Sequence, residues 1–375
     1  MFKSVFRNYV YPIATLSGSI IGVGFLSLPY ITLRVGILPM IFYVILLTGI
    51  IVVLHVIFGQ VCLNTPDYKR FPGFAEFYLG KWAKYTILAS VVFGSFGLFI
   101  VYFILGKQFL TAIVPPFAGN VWWYVAGYFG LGMACIYFGI KIVSRAVFWA
   151  LALLLVVFFI IGARAFSYLN LESIFLNAPS FFGDWKTMFL PYGIVVFSLW
   201  GAGLIPEIEE MVAGNKWSLK RIIITATIIP AAVYLIFIFL ILGISGTYTT
   251  ESALTGLKGF LSPGIFGAAL SIGLITIFNA VATQGLFLKE TLMYDLGIRH
   301  FPAWLITCLT PMFLFLLGFN SFIFLISFIG GVFLGINGIF ILLMYRKIGG
   351  KKIIVYPLAL VFILGIMYEI VYFIK

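Results

Sequence analysis

A cluster of three glycines lies in the first long apolar segment of the chain. This segment reads SGSIIGVGFLSLPY from Ser17 to Tyr30 and places Gly18, Gly22 and Gly24 within seven residues. Glycine disfavours a helix by about 1 kcal/mol relative to alanine. Gly18 and Gly22 have the GxxxG spacing of closely packed helices, which is one interpretation. Gly22 and Gly24 point to different faces, which packing does not require, so we favour a helix that unwinds here.

A second cluster of the same kind lies near the middle of the chain. The segment FSLWGAGLIPEI from Phe197 to Ile208 contains Gly201, Gly203 and Pro206. Proline removes a backbone donor and clashes with the preceding helical turn. Gly203 follows Gly22 by 181 residues, which is close to half of the chain. Two interrupted apolar helices in corresponding positions of two halves are typical of transporters with an inverted repeat.

An unwound backbone inside a membrane offers charge-binding groups at both broken ends. The N–H groups at the start of a half-helix carry about half a positive charge and attract a carboxylate. The freed carbonyl groups attract an ammonium group or a metal cation. Such groups are tolerated only beside a polar cavity. A zwitterionic amino acid carries both charges on one carbon, so it matches this pair of helix ends.

The composition indicates the elements that must position these groups. Of the 375 residues, 63% are apolar, 19% are aromatic and 9% are charged, whereas an ordinary globular domain is about 45–50% apolar and about 25% charged. This composition excludes a soluble enzyme, a disordered protein and a disulfide scaffold.

Continuous apolar runs of about 20 residues predict membrane-spanning helices rather than a barrel. We predict an all-α polytopic membrane protein with eleven spans, of which the first and the sixth are broken. The spans are 11–32, 36–62, 84–110, 119–140, 146–168, 188–212, 222–244, 265–292, 301–319, 321–345 and 353–374.

The formal net charge of +12 is distributed unevenly along the chain. With the N-terminus in the cytoplasm, the inner segments contain 17 of the 23 Lys and Arg residues, as the positive-inside rule requires. The charge therefore predicts a cytoplasmic surface that faces anionic lipid, and no nucleic acid partner. We expect a multi-pass protein of the cytoplasmic membrane with its C-terminus outside. Cys62, Cys135 and Cys308 have the spacing of neither a metal site nor a disulfide framework.

The two glycine-containing segments carry a family resemblance. GSIIGVGFLSLP, which starts at Gly18, resembles the first-helix signature of the amino acid and auxin permease branch of the amino acid–polyamine–organocation superfamily. It also resembles the bacterial tryptophan/tyrosine permeases. The run from Phe197 through Pro206 and Glu207 to Asn215 resembles their sixth helix. The resemblance implies a five-plus-five inverted repeat of the leucine-transporter type, with repeats at about 11–168 and 188–345 within a core of 1–345, and an eleventh helix in 346–375.

The same resemblance implies where a substrate binds. Amides around Ile20–Gly24 would hold a carboxylate, and carbonyls near Phe197–Trp200 would hold an amino group, with Phe197 as the aromatic side chain that closes over the substrate. By the same match, Ser19 and Val23 face the substrate. Depth alone adds three side chains from spans three and eight. The candidate binding residues are Ser19, Ile20, Gly22, Val23, Gly24, Phe197, Ser198, Trp200, Gly201, Ser95, Phe99 and Asn279.

Ionisable side chains inside membrane spans are functional candidates. Glu207 follows Pro206 in the second half of span six, where a carboxyl in a low dielectric can carry a proton at neutral pH. We consider two roles for it: proton coupling or the inner gate, and a structural ion pair with a lysine such as Lys289. His55 is expected to be a hydrogen-bonded packing residue. Glu369, in the last helix, is expected near the outer interface.

A polar stripe in span eight is the second candidate for ion coupling. Thr276, Asn279 and Thr283 lie on one helical face. In sodium-coupled members of the superfamily, hydroxyls of helix eight and carbonyls of helix one bind Na⁺, so Thr283 is the candidate ligand. Hydrogen bonding between helices is the alternative. Arg7 and Asp295 resemble the pair that latches the inner gate in the leucine-transporter arrangement, although the sequence favours a solvated pair. We expect no cofactor other than H⁺ or Na⁺ as coupling ion.

Three classes of function remain to be compared. The tetrapeptide GISG at 243–246 matches the serine motif of intramembrane proteases, but the predicted spans place Ser245 and His300 on opposite membrane faces, so we predict no enzyme. A receptor subunit of the same fold, as in spore germinant receptors, would sense an amino acid without net transport. The sequence favours secondary active transport of an L-amino acid by a monomer working through alternating access, coupled to H⁺ or Na⁺.

Overall fold

The computed structural model describes residues 9–66, 69–114, 122–139, 156, 162–163, 185–212 and 216–374. Within these residues all regular structure is helical. Seven described helical segments are long and apolar enough to cross a membrane, and two of these, Thr187–Met211 and Phe322–Lys347, combine shorter helices. The bent pair Tyr11–Ile20 and Gly24–Val35 forms an eighth candidate span. The described part of the chain is therefore an all-α membrane protein, as predicted.

The α-helices are numbered here in chain order. They are α1 (Tyr11–Ile20), α2 (Leu28–Val35), α3 (Ile37–Leu63), α4 (Phe71–Leu79), α5 (Lys81–Ile113), α6 (Trp122–Phe138), α7 (Trp185–Leu199), α8 (Ile205–Met211), α9 (Lys216–Ser245), α10 (Pro263–Tyr294), α11 (His300–Leu316), α12 (Phe322–Phe328), α13 (Leu334–Lys347) and α14 (Lys352–Ile374). A π-helical turn, Ile329–Phe333, joins α12 to α13.

The predicted spans coincide with described helices except for the fifth. Residues 146–168 lie almost wholly outside the described residues, so the total of eleven spans stays a prediction. One helix was not predicted: α4 lies between spans two and three. Its Glu76 carboxylate accepts a hydrogen bond from Lys84 Nζ of α5 at 2.7 Å. This helix is too short to be predicted as a membrane span.

The first span is interrupted, as the glycines predict. Helix α1 ends at Ile20, residues 21–23 are not helical, and a 3₁₀ turn, Gly24–Ser27, leads into α2. The two halves are bent by 49° at this break. Pro29 lies in the first turn of α2, where the missing proline N–H is not needed.

The sixth span is interrupted at the second cluster. Helix α7 ends at Leu199, and the 3₁₀ turn Ala202–Leu204 separates it from α8. Trp200 and Gly201 lie in the gap. Pro206 occupies the first turn of α8 rather than a helix interior, so it starts the second half-helix without losing a bond.

The chain divides into two compact units. The first comprises the described residues of Met1–Val91, Asn177–Ile238 and Ser327–Lys375, and it contains both interrupted spans. Its fully buried large side chains include Phe58, Phe74 and Tyr234. The second comprises the described residues of Val92–Leu176 and Phe239–Ile326. Its core includes Phe99 and Phe109.

Close helix packing in the second unit depends on a glycine of α10, which gives a test of the fold. A Cβ at Gly285 would overlap Ile136 Cδ1 of α6 and lie 3.1 Å from Phe99 Cζ of α5. We expect Gly285→Ala to destabilise the protein by about 1–3 kcal/mol, the usual cost of overpacking. Thermal unfolding of the detergent-solubilised protein measures this.

Gly267 of the same helix is the matched control. A Cβ at this position would meet no atom within 4 Å. Gly267→Ala should leave the unfolding midpoint unchanged or raise it slightly, since alanine favours the helix by about 1 kcal/mol. Equal midpoints for the two variants would contradict the packing of α10 described here.

Candidate functional site

The two helix breaks lie against each other in the first unit, and each supplies one glycine to the contact. A Cβ at Gly24 would lie 2.5 Å from Phe197 Cδ1 and 2.8 Å from Ser198 Oγ. A Cβ at Gly201 would lie 2.6 Å from Ile20 Cγ1. Both distances are too short for a side chain, so these two positions require glycine for close approach.

The other two glycines of the breaks have a different environment. A Cβ at Gly203 would meet no atom within 4 Å, and one at Gly22 would reach only the Ile20 carbonyl oxygen, at 4.0 Å. Both glycines are exposed. Both explanations of the glycine clusters therefore apply, each at different positions. Gly24 and Gly201 allow close packing, whereas Gly22 and Gly203 border open space at the unwound backbone.

The first break leaves backbone donors at the start of a half-helix. The Ile21 amide still donates to the Ser17 carbonyl at 2.9 Å, and the Gly22 amide turns back to the Ile20 carbonyl at 2.8 Å. Among the described residues, no backbone carbonyl accepts from the amides of Val23 and Gly24. These N–H groups lie at the positive end of the following helical segment, which favours an anion.

Tyr234 of α9 connects the two breaks. Its hydroxyl oxygen lies 2.8 Å from the Ile20 carbonyl oxygen and 2.8 Å from the Ser198 carbonyl oxygen, and the side chain is fully buried. The single hydroxyl proton is thus shared between a carbonyl of each broken helix. The phenol ring stacks on Phe25 with 5.6 Å between ring centroids. The sequence did not identify this residue as a candidate, although the hydroxyl of a buried tyrosine usually finds a hydrogen-bond partner.

His55 of α3 holds the second break. The amide of Gly201 donates to His55 Nε2 at 3.2 Å, and Nδ1 lies 3.2 Å from Thr227 Oγ1. Because an amide can only donate, Nε2 accepts, and the proton of the neutral imidazole is on Nδ1. The Thr227 hydroxyl in turn donates to the Ile223 carbonyl. His55 is therefore a buried, hydrogen-bonded residue, as predicted, and its partner is the break itself.

The side chains predicted at the breaks differ in what they can offer a ligand. Ser198 is buried, and its hydroxyl has no hydrogen-bond partner among the described residues, although it faces Gly24. The Ser19 hydroxyl is already used, since it donates to the Leu16 carbonyl within α1. Phe197 and Trp200 are half-buried, and Trp200 meets the His55 ring edge to face at 6.1 Å. Ile20 and Val23 are buried.

The second unit contains the candidates from spans three and eight. Ser95 Oγ accepts a hydrogen bond from Gln284 Nε2 at 3.0 Å, a partner that sequence analysis did not identify. Phe99 is buried and packs at Gly285. Thr283 donates its hydroxyl proton to the Asn279 carbonyl at 2.8 Å, so the hydroxyl oxygen keeps a free acceptor side. The buried Asn279 Oδ1 has no partner within the described part of the chain.

The charged candidates are placed as follows. Glu207 is half-buried in the first turn of α8. Lys289 does not lie in the unit of Glu207; its amino group donates to the Ile136 and Tyr137 carbonyls at the end of α6. Asp295 follows the last turn of α10, where its amide donates to the Thr291 carbonyl. Arg7 lies outside the described residues, so the predicted latch with Asp295 stays a prediction.

Glu369 is enclosed by other helices of the first unit. Its carboxyl group is fully buried and accepts a hydrogen bond from Ser327 Oγ at 2.7 Å. Its expected depth near the outer interface stays a prediction, because burial among helices does not measure a position along the membrane normal.

Comparison with known proteins shows similarity to a protein family and to solved structures. The family model described as transmembrane amino acid transporter protein matches residues 9–246. The crystal structure of MhsT in complex with L-phenylalanine has a TM-score of 0.63 and 13% identity, covering 97% of each chain. This likeness shows a shared fold. No curated protein sequence matches the chain. The matching family transports rather than catalyses, in agreement with the prediction that the protein is no enzyme.

The bridge made by Tyr234 gives a prediction about the breaks. Tyr234→Phe removes the shared donor and leaves the Ile20 and Ser198 carbonyls short of a buried partner, which costs about 1–3 kcal/mol. We expect a lower unfolding midpoint and faster hydrogen exchange of the amides at both breaks, measured by mass spectrometry. Tyr248→Phe is the control, since that tyrosine is 74% exposed. Unchanged exchange at both breaks in Tyr234→Phe would show that the bridge does not hold them.

Proposed function

Because the chain belongs to the transmembrane amino acid transporter family, we propose that it carries an L-amino acid across the cytoplasmic membrane by secondary active transport. The observation that carries this proposal is the pair of facing helix breaks in the first unit. They bring backbone amides without carbonyl partners close to the carbonyl end of α7 inside an apolar helix bundle. Such amides persist there only beside a polar cavity or a ligand.

The substrate carboxylate would bind at the start of the second half of span one. The amides of Val23 and Gly24 lack carbonyl partners among the described residues, and the exposed Gly22 leaves the approach open. A helix N-terminus binds anions through these N–H groups and the helix dipole together. The unpartnered Ser198 hydroxyl, facing Gly24, is a further donor at the same place.

The substrate ammonium group would bind at the end of α7. The last carbonyls of a helix have no intrahelical donors and carry partial negative charge. The half-buried rings of Phe197 and Trp200 flank this end and would shape the side-chain pocket. The L-phenylalanine bound in MhsT supports an amino acid as the substrate class.

The wider mechanism rests on the fold family. We include in the proposal alternating access, eleven spans with a five-plus-five repeat, a cytoplasmic N-terminus, an extracytoplasmic C-terminus and function as a monomer. The coupling ion in this proposal is H⁺ or Na⁺. Glu207 is the candidate for proton coupling or the inner gate, and the acceptor side of the Thr283 hydroxyl is the candidate for Na⁺. Ser95, Phe99 and Asn279 are candidates for contacts with the substrate side chain.

Purified protein in liposomes tests the proposal directly. Each of the twenty radiolabelled L-amino acids is offered with and without a Na⁺ gradient and a pH gradient, and both binding and uptake are measured. We expect saturable binding and concentrative uptake of at least one of them. Binding without uptake under every gradient would indicate a receptor of the same fold instead. Absence of binding to all twenty would overturn the proposal.

Gly22 provides the sharpest test of where the carboxylate binds. Gly22→Leu places a side chain in open space beside the free amides without a clash in the protein. We expect an unchanged unfolding midpoint and at least about a hundredfold weaker amino acid binding, since several charge-assisted hydrogen bonds of about 1.5–3 kcal/mol each are blocked. Gly127→Leu is the control, because Gly127 is also exposed and free of neighbours. Equal affinity in the two variants would count against this binding site.

A further inference from the structure

A buried carboxyl group lies in the last helix, apart from the two breaks. Glu369 of α14 has no exposed surface. Its Oε1 accepts a hydrogen bond from Ser327 Oγ of α12 at 2.7 Å, and its Oε2 is buried without a partner among the described residues. Within that part of the chain, no cationic side chain forms an ion pair with it.

The helices that face this carboxyl group leave room for it. A Cβ at Gly193 of α7 would lie 2.5 Å from Glu369 Oε1, and a Cβ at Gly331 of the π-helical turn would overlap Glu369 Cγ. Two elements therefore carry glycine where the carboxyl group lies. Tyr192 of α7 is also packed on α14, since a Cβ at Gly365 would overlap its ring and hydroxyl. Its buried hydroxyl has no partner in the described residues.

The chemistry of this pocket selects a proton. Burying an ionised carboxylate in an apolar interior without a cation is energetically unfavourable. The neutral carboxylic acid is therefore the more stable form in this pocket. The facing groups are a phenol from α7, a serine hydroxyl from α12 and glycine from the π-helical turn. Tyr192 is the titratable side chain of α7 that packs on α14 beside Glu369.

A chain of direct contacts connects this pocket to the break in span six. The π-helical turn touches Glu369 through Gly331, and through the adjacent Gly330 it touches α7, where a Cβ would lie 2.9 Å from Phe197 Cβ. Phe197 in turn packs on Gly24 of the first break. π-Helical turns occur frequently at functional sites. A shift of the turn would therefore move Phe197, which precedes the second break and packs on the first.

We propose that Glu369 binds the coupling proton of transport, which makes the protein a proton–amino acid symporter. Resting on the transport function proposed above, this inference adds its ion and its ion site. One proton adds to the buried carboxylate to give the neutral carboxylic acid, and its release restores the carboxylate. The charged form is unstable in apolar surroundings because it lacks hydration. It therefore favours separation of α7 from the π-helical turn, which changes the geometry at Phe197.

Glu369→Gln tests the inference, because glutamine has the same shape but cannot release a proton. Wild type and variant are reconstituted in liposomes and offered a mixture of twenty radiolabelled L-amino acids. With an imposed inward proton gradient and no Na⁺, we expect wild type to accumulate label and the variant to lose at least about nine-tenths of this accumulation. Exchange of internal for external amino acid should survive in the variant and lose its pH dependence. Glu251→Gln, outside the α7–α14 contact, is the matched control.

The outcomes separate the two proposals. Proton-driven accumulation by Glu369→Gln at the wild-type level would overturn the role of Glu369. Wild-type accumulation that requires Na⁺ and ignores the proton gradient would also overturn it, while leaving amino acid transport intact. If wild type neither binds nor exchanges any of the twenty amino acids, the transport function itself fails.

A second variant keeps the carboxyl group and so avoids any folding defect of Glu369→Gln. In the wild type, the Ser327 hydroxyl donates to Oε1 and so stabilises the charged form of Glu369. Ser327→Ala removes this donor and makes the charged form less stable. The proton should therefore bind more readily, and the pH of half-maximal uptake should move to a higher value while maximal uptake is retained. An unchanged uptake–pH profile would contradict a proton site at Glu369.

Discussion

A backbone that stops being helical inside a lipid membrane exposes N–H and C=O groups that neither lipid nor neighbouring apolar side chains can satisfy. The structure meets this constraint twice in one unit, after Ile20 and after Leu199. Each break persists because specific groups from other helices take over part of the lost hydrogen bonding. The buried side chains of His55 and Tyr234 meet this need in the first unit.

The partners of the two breaks divide the task between them. His55 accepts from the Gly201 amide, and Tyr234 donates between a carbonyl of each break. Both side chains are buried and neutral, so they satisfy the backbone without introducing charge. The groups that are left over are amides at the start of a half-helix. Because the protein itself provides no acceptor for these amides, the site favours an anionic group.

The same unit contains a second polar element of a different kind. Around Glu369 there is no backbone break, and the unsatisfied group is a carboxyl oxygen that glycines on two facing elements accommodate. The π-helical turn connects this carboxyl group to Phe197 by direct contact. A change of charge at one end and a change of ligand at the other can thus act on one shared element, which is the physical requirement for coupling two sites.

The sequence by itself determined the helical membrane class and the bounds of the described spans to within a few residues, because apolar run length is a local property. It also placed both breaks, since glycine and proline weaken a helix wherever they occur. Only the tertiary structure decided that Gly24 and Gly201 are needed for contact while Gly22 and Gly203 border open space. It alone joined Tyr234 and His55 to the breaks and buried Glu369 against α7. Those properties depend on which distant segment lies opposite a residue, and no local pattern contains that information.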